Sequence, residues 1–245
     1  MVPLLLIALL LGCQANQESK NRDQPKESKD EVASEANKDQ ISKKEKTNMN
    51  EQFFQAAERG DISKLKELLD AGIDINVADE QGRTAAMLAT YANKPESVKV
   101  LIEHGINIDI QDNMQNNPFL YAGAEGYSAI LKLTIEAGAD PKLLNRYGGT
   151  ALIPASEHGY VDVVKELLEN TDVDVNHINN LGWTALLEAI ILSDGGKRQQ
   201  ETIQLLIQHG ADVNIPDSND VSPYEHAKSR GFDEIVAILQ RAGAE

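Results

Sequence analysis

The strongest constraint on this chain is a period close to 33 residues. Gly72, Gly105 and Gly138 are spaced 33 apart, as are Gly210 and Gly243. Ala56, Ala89, Ala122 and Ala155 keep the same step, Ala189 follows after 34 residues and Ala227 after 38. The frame also aligns Thr84, Asn117, Thr150, Thr184 and Ser222. It aligns the apolar pairs Leu68-Leu69, Leu101-Ile102, Leu167-Leu168, Leu205-Leu206 and Ile238-Leu239 as well. A period of this size specifies a solenoid, in which each unit buries its apolar face only against its neighbours.

Within a unit the pattern is short helix, turn, longer helix, turn. Thr184-Ala185-Leu186-Leu187-Glu188-Ala189 opens with a threonine suited to an N-cap, followed by small residues that permit close stacking. Val161 to Leu168 carries apolar residues at helical spacing on one face. Gly105, Gly138 and Gly210 stand where a left-handed C-cap closes the second helix. Gly210-Ala211-Asp212-Val213-Asn214 then leads into the next hairpin.

These motifs, Thr-Ala-Leu helix starts, Val-Val-x-x-Leu-Leu and Gly-Ala-Asp-Val-Asn, resemble ankyrin repeats. The resemblance covers residues 50–245, about 80% of the chain. It implies an all-α solenoid domain at 49–245, with an N-terminal cap at 50–78 and full repeats at 79–111, 112–144, 145–178 and 179–215. A C-terminal cap follows at 216–245. The family's frequent histidine after Thr-Pro-Leu is replaced by Met87, Leu120, Ile153, Leu187 and Glu225, which exchanges an inter-repeat hydrogen bond mostly for apolar packing. Pro154, inside a first helix, should distort it. Asn170-Thr171-Asp172 replaces one glycine cap, and Ser193 to Arg198 lengthens the loop between the two helices of one unit.

The resemblance further implies a protein-binding module and no enzyme. Ankyrin repeats bind at hairpin tips and the adjoining ends of the first helices, on the concave side. The matching positions are Glu80, Gln81, Arg83 and Tyr91; Asn113, Met114, Asn116 and Glu125; Arg146, Tyr147, Glu157 and His158; and Asn180, Leu181 and Trp183. Met114, Tyr147, Leu181 and Trp183 are large apolar groups at sites expected to face solvent, with Trp183 and Tyr147 as anchors and Arg83 and Arg146 as polar contacts. The same two aromatics could instead cover the neighbouring turn, and the two roles are compatible.

No catalytic or metal-binding pattern competes with this reading. Ser156-Glu157-His158 ends a first helix. The five histidines fall in different units without ligand spacing, and no cofactor or metal is expected. Asp172-Val173-Asp174-Val175-Asn176 opens like a calcium loop but lacks its glycine and closing glutamate.

The chain has a formal charge of −16, and its distribution is uneven. Residues 14–48 hold eight basic and eight acidic side chains, so the whole −16 lies after residue 48. This excludes a typical nucleic-acid binder and favours a basic protein partner for a monomer. Leu4 to Leu11 followed by Gly12-Cys13 is too short to span a bilayer and resembles a bacterial lipoprotein signal over residues 1–12, with Cys13 as the lipidated residue. No Lys or Arg follows Met1, which leaves open a weak signal or a mis-assigned start, and with the latter a cytoplasmic protein. Residues 13–48 contain few apolar side chains and are expected to form a disordered charged tether, with at most fleeting helix around Asp30–Asn37. The expectation is a lipid-anchored, extracytoplasmic protein that binds a partner through its concave face; a structural or protective envelope role is the alternative.

Overall fold

In a computed structural model of the chain, residues 29–244 are described, with side chains from 44 onward. The signal at 1–12 and Cys13 therefore lie outside the described residues. The chain divides at Lys44 into two units, residues 1–44 and 45–245. Twelve helices follow in order: α1 (Lys29–Arg59), α2 (Ile62–Asp70), α3 (Ala85–Tyr91), α4 (Pro95–Glu103), α5 (Pro118–Glu125) and α6 (Ser128–Glu136). After these come α7 (Leu152–Glu157), α8 (Val161–Asn170), α9 (Ala185–Ile191), α10 (Lys197–Gln208), α11 (Pro223–Ser229) and α12 (Asp233–Arg241). Among the described residues there is no strand, only one isolated bridge, Ala78 to Thr84.

Residues 29–48, expected as part of a disordered tether, are helical and form the first part of α1. From Ser28 to Arg59 the sequence holds neither glycine nor proline, and residues such as Ala, Glu, Lys and Gln favour helix by backbone propensity. Further along, Phe53, Ala56 and Ala57 are buried and begin the core.

Helix pairs stack in two layers. The short helices contact one another in the series α3, α5, α7, α9, α11, and the longer ones in the series α2, α4, α6, α8, α10, α12. One apolar core runs from Phe53 to Leu239 through every unit. Of the residues standing in place of the family histidine, Met87, Leu120, Ile153 and Leu187 are buried and Glu225 is exposed. Close stacking of the short helices needs small side chains. At Gly123 an added Cβ would lie 2.8 Å from the Ala151 Cβ.

The expected caps form with one exception. Thr84, Asn117, Thr184 and Ser222 each accept a hydrogen bond from the backbone N–H three residues on. The fifth residue of the column, Thr150, does not. In the other units its carbonyl would accept from the residue four positions later, as Thr84 does from Leu88 and Thr184 from Glu188. Here that residue is Pro154, which has no N–H. The Thr150 carbonyl instead takes a long bond from Ile153, 3.4 Å, and helix α7 starts late at Leu152. The Thr150 hydroxyl is left buried without a partner. The glycine caps Gly105, Gly138 and Gly210 have the left-handed φ expected of them. Where Thr171 replaces glycine, its hydroxyl donates to the Leu167 carbonyl at 2.6 Å and closes the helix that way.

The two threonine environments should respond oppositely to valine. Thr184→Val removes a working cap and should cost about 1 kcal/mol in urea denaturation, whereas Thr150→Val should be neutral or stabilising. Equal losses at both positions would contradict this assignment.

Candidate functional site

The site is built on five hairpins, each held by one side chain. Asp79, Asp112, Asn145, Asn179 and Asp217 each turn Oδ1 inward to accept two backbone N–H groups, two and four residues ahead. This fixes the position of the hairpin tip between those residues. Neighbouring tips are then tied together: the Asn113 N–H donates to the Gln81 carbonyl and the Asn180 N–H to the Tyr147 carbonyl, both at 2.9 Å. The approach is close enough to require glycine at Gly82, where φ is +75° and an added Cβ would come within 2.9 Å of Asn113 Oδ1.

Between the hairpins and the short helices α5, α7 and α9 lies a cavity of about 360 Å³. Six of the residues expected at the site line it: Asn116, Glu125, Arg146, Tyr147, Glu157 and Leu181. Its floor and walls also include Tyr121, Ile153, Pro154, Asn179, Glu188 and Leu192, none of which the family positions single out. Tyr147 and Leu181 are 54% and 53% exposed at successive hairpin tips, and Met114 on the tip before them is 48% exposed. Arg146 lies over the Tyr147 ring, 4.7 Å from its centroid, and donates to the Tyr147 hydroxyl at 2.8 Å. Its Nη1 is 3.7 Å from Met114 Sδ, so the three side chains form one contiguous rim.

Nine of the fifteen expected residues do not line the cavity: Glu80, Gln81, Asn113, His158 and Asn180, and with them Arg83, Tyr91, Met114 and Trp183. Arg83 is committed to Asp79, with Nε donating at 2.8 Å and Nη2 at 2.7 Å. Burial alone would raise the Asp79 carboxyl, but its hydrogen bonds from Arg83 hold it below the usual range. Tyr91 donates to Asp112 Oδ2 at 2.6 Å, accepts from Asn116 and packs edge-on against Tyr121. Burial, and then the hydrogen bond to Asp112, push its phenol up to about 12. Met114 stays on the rim. Trp183, expected in solvent as an anchor, is instead half-buried, its N–H and carbonyl both bound to Asn179. His158 is exposed beside Tyr160, while the Ser156 hydroxyl is buried and donates to the Leu152 carbonyl, so the Ser-Glu-His triplet serves the helix. In the calcium-like stretch, Asp172 pairs with Lys142 at 2.7 Å and Asp174 accepts from the Asn176 N–H.

Glu188 is the most unusual group in the cavity. It is a carboxyl only 5% exposed, on an otherwise apolar helix, and Oε1 accepts from Asn179 Nδ2 at 2.7 Å. Burial pushes its pKa up to about 7; the charge of Glu157 adds to the rise and the Asn179 hydrogen bond opposes it. Its signal in the sequence is a lone charged residue where Leu88, Tyr121 and Pro154 stand in the preceding units.

A stack of helical hairpins with projecting tips and one groove across three units defines a scaffold of the protein-interaction class. A family model described as Ankyrin repeats (3 copies) matches residues 53–143 and 119–217, and the chain belongs to the ankyrin repeat family. It is 43% identical over 197 residues to the Escherichia coli (strain K12) ankyrin repeat protein YahD, covering 80% of this chain and 98% of that one. An ankyrin repeat domain from Acinetobacter baumannii AYE superimposes with a TM-score of 0.77 at 48% identity, covering 79% of this chain and 98% of that one. The ankyrin repeat domain of Bcl-3, a member of the IkappaB protein family, shares the fold alone: its TM-score is 0.71 at 24% identity, over 79% of this chain and 86% of that one.

The raised pKa of Glu188 has a sign. Above about 4.5 the unfolded carboxyl ionises while the folded one stays neutral to about 7, so Glu188 progressively destabilises the fold across that interval. Glu188→Gln should therefore be the more stable protein at pH 8, by roughly 1–3 kcal/mol, and its advantage should shrink towards pH 4.5. Urea melts at several pH values check this; a pH-independent difference would contradict it.

Proposed function

We propose that this protein is a lipid-anchored, extracytoplasmic scaffold that captures a basic protein partner in the groove across its second to fourth full repeats. One observation carries the binding reading. Three successive hairpin tips each present a large exposed apolar side chain, Met114, Tyr147 and Leu181, beside a cavity that holds carboxyl groups. Such side chains at adjacent positions gain little by facing water and gain much by entering a partner's surface. The surplus of acid supports a basic partner: 31 acidic against 15 basic side chains after residue 48 give a field that steers cations and weakens with salt. Arg83, tied to Asp79, positions its hairpin rather than contacting the partner.

The anchor reading rests on Leu4 to Cys13, an apolar run ending in Gly-Cys. Among the described residues no helix is long and apolar enough to cross a membrane. Lipid on Cys13 would hold the protein at the surface while the acidic repeats reach outward.

Replacing Tyr147 and Leu181 together with alanine should reduce partner capture from cell envelopes by more than tenfold, with helical content unchanged. Undiminished capture would overturn the groove assignment. Cys13→Ser should move the protein from the membrane to the soluble fraction. An unlipidated Cys13 in mass spectrometry of the wild type would overturn the anchor.

A further inference from the structure

The groove contains a group that its stability does not explain. Glu188 sits in the cavity with Oε1 bound to Asn179, and no donor among the described residues reaches Oε2. Ion pairing does not account for it, because no Lys or Arg among the described residues bridges Glu188. Burying a carboxyl against a single amide donor is costly, and retaining it there is the kind of local rule-breaking found at functional sites.

The surroundings describe what would complete it. Glu157 lines the same cavity half-buried on α7, which packs against α9, and Glu125 lines it nearer solvent on α5, the next short helix along the stack. The nearest cation on the rim, Arg146, lies over the Tyr147 ring and donates to its hydroxyl. The lining also includes the apolar Ile153, Pro154 and Leu192, beside Asn116, Asn145 and Asn179. A partly apolar cavity that holds an unfilled carboxylate oxygen matches a long aliphatic side chain tipped with a positive charge.

We propose that this cavity receives a lysine or arginine side chain of the partner, with Glu188 as its buried counter-charge and Glu157 and Glu125 as the field that draws it in. This rests on the groove reading above. Inserting the cation supplies the donor that Oε2 lacks, in a setting where charge-assisted hydrogen bonds are strong. Tyr147 and Leu181 would close over the aliphatic stem, which assigns the apolar tips and the acidic floor to one binding event. Neutral side chains of the same length would leave Glu188 unmatched, so the pocket discriminates by charge.

The test uses the full chain with short capped peptides as probes: Ac-Gly-Lys-Gly-NH2, its arginine counterpart and its Nζ-acetyl-lysine counterpart. At pH 8, the lysine and arginine peptides should shift the Asn179 side-chain amide resonances and saturate in the millimolar range. The acetylated peptide should bind at least tenfold more weakly. Glu188→Gln, expected to be the more stable protein, should lose at least tenfold in affinity for the charged peptides, and Glu125→Gln about twofold. Equal binding of the acetylated peptide, or unchanged binding by Glu188→Gln, would overturn the pocket. Partner capture that needs Tyr147 and Leu181 but is indifferent to Glu188→Gln would also overturn the pocket while leaving the groove reading standing. Peptide binding that follows charge, without groove capture of any protein, would uphold the pocket and remove the groove reading.

Discussion

Each hairpin of this solenoid hangs on a single carbonyl or carboxylate oxygen. Oδ1 of Asp79, Asp112, Asn145, Asn179 and Asp217 accepts two backbone N–H groups that would otherwise face each other across the turn without a partner. The tips, and therefore every exposed side chain on them, are located by those five atoms. Aspartate and asparagine suit the role because a short side chain can reach its own backbone two and four residues on. In four units the same residue has a second duty: Asp79 Oδ2 accepts from Arg83 and Asp217 Oδ2 binds His226 Nε2. Asp112 takes the Tyr91 hydroxyl on its other oxygen, and Asn179 turns its amide to Glu188. The hairpin acceptor thus connects the turn to the helix behind it, and at Asn179 it connects the fold to the cavity.

Departures from the regular unit gather around that cavity. Pro154 removes a helical hydrogen bond, Thr150 loses its cap, and Gly123 lets α5 close on Ala151. Pro154 lines the cavity itself, and Glu188 places an acid where the preceding units carry Leu88, Tyr121 and Pro154. In a solenoid each unit contacts only its neighbours, so such changes are absorbed locally while the flanking units keep the stack intact.

The repeat period made the fold legible before any coordinates. Gly105, Gly138 and Gly210 take left-handed backbone as expected, and Thr84, Asn117, Thr184 and Ser222 cap their helices. Pro154 disturbs its helix as the chemistry of proline demands. The site was legible only in part, for a physical reason. Alignment by position finds which residues stand on tips, and Met114, Tyr147 and Leu181 are exposed there. It does not find which side chains already have partners. Arg83, four residues past its hairpin acceptor, and Tyr91, at the end of α3, stand at family binding positions but are bound to Asp79 and Asp112, a choice made by neighbours in three dimensions. Glu188 was hidden for the opposite reason, because its register belongs to the core and only its chemistry marks it. Helix in residues 29–48 rests on backbone propensity rather than on an apolar face, so hydrophobic patterning does not mark it.

The central claim is that the face built from hairpin tips and short helices is where this protein meets its partner. A photo-crosslinking amino acid at position 181 in living cells, set against one at the exposed Lys165 on α8, tests it most directly. A discrete protein adduct from position 181, suppressed by Tyr147→Ala and not formed from position 165, is the expected result. Adducts from position 165 alone, with none from 181, would contradict the account.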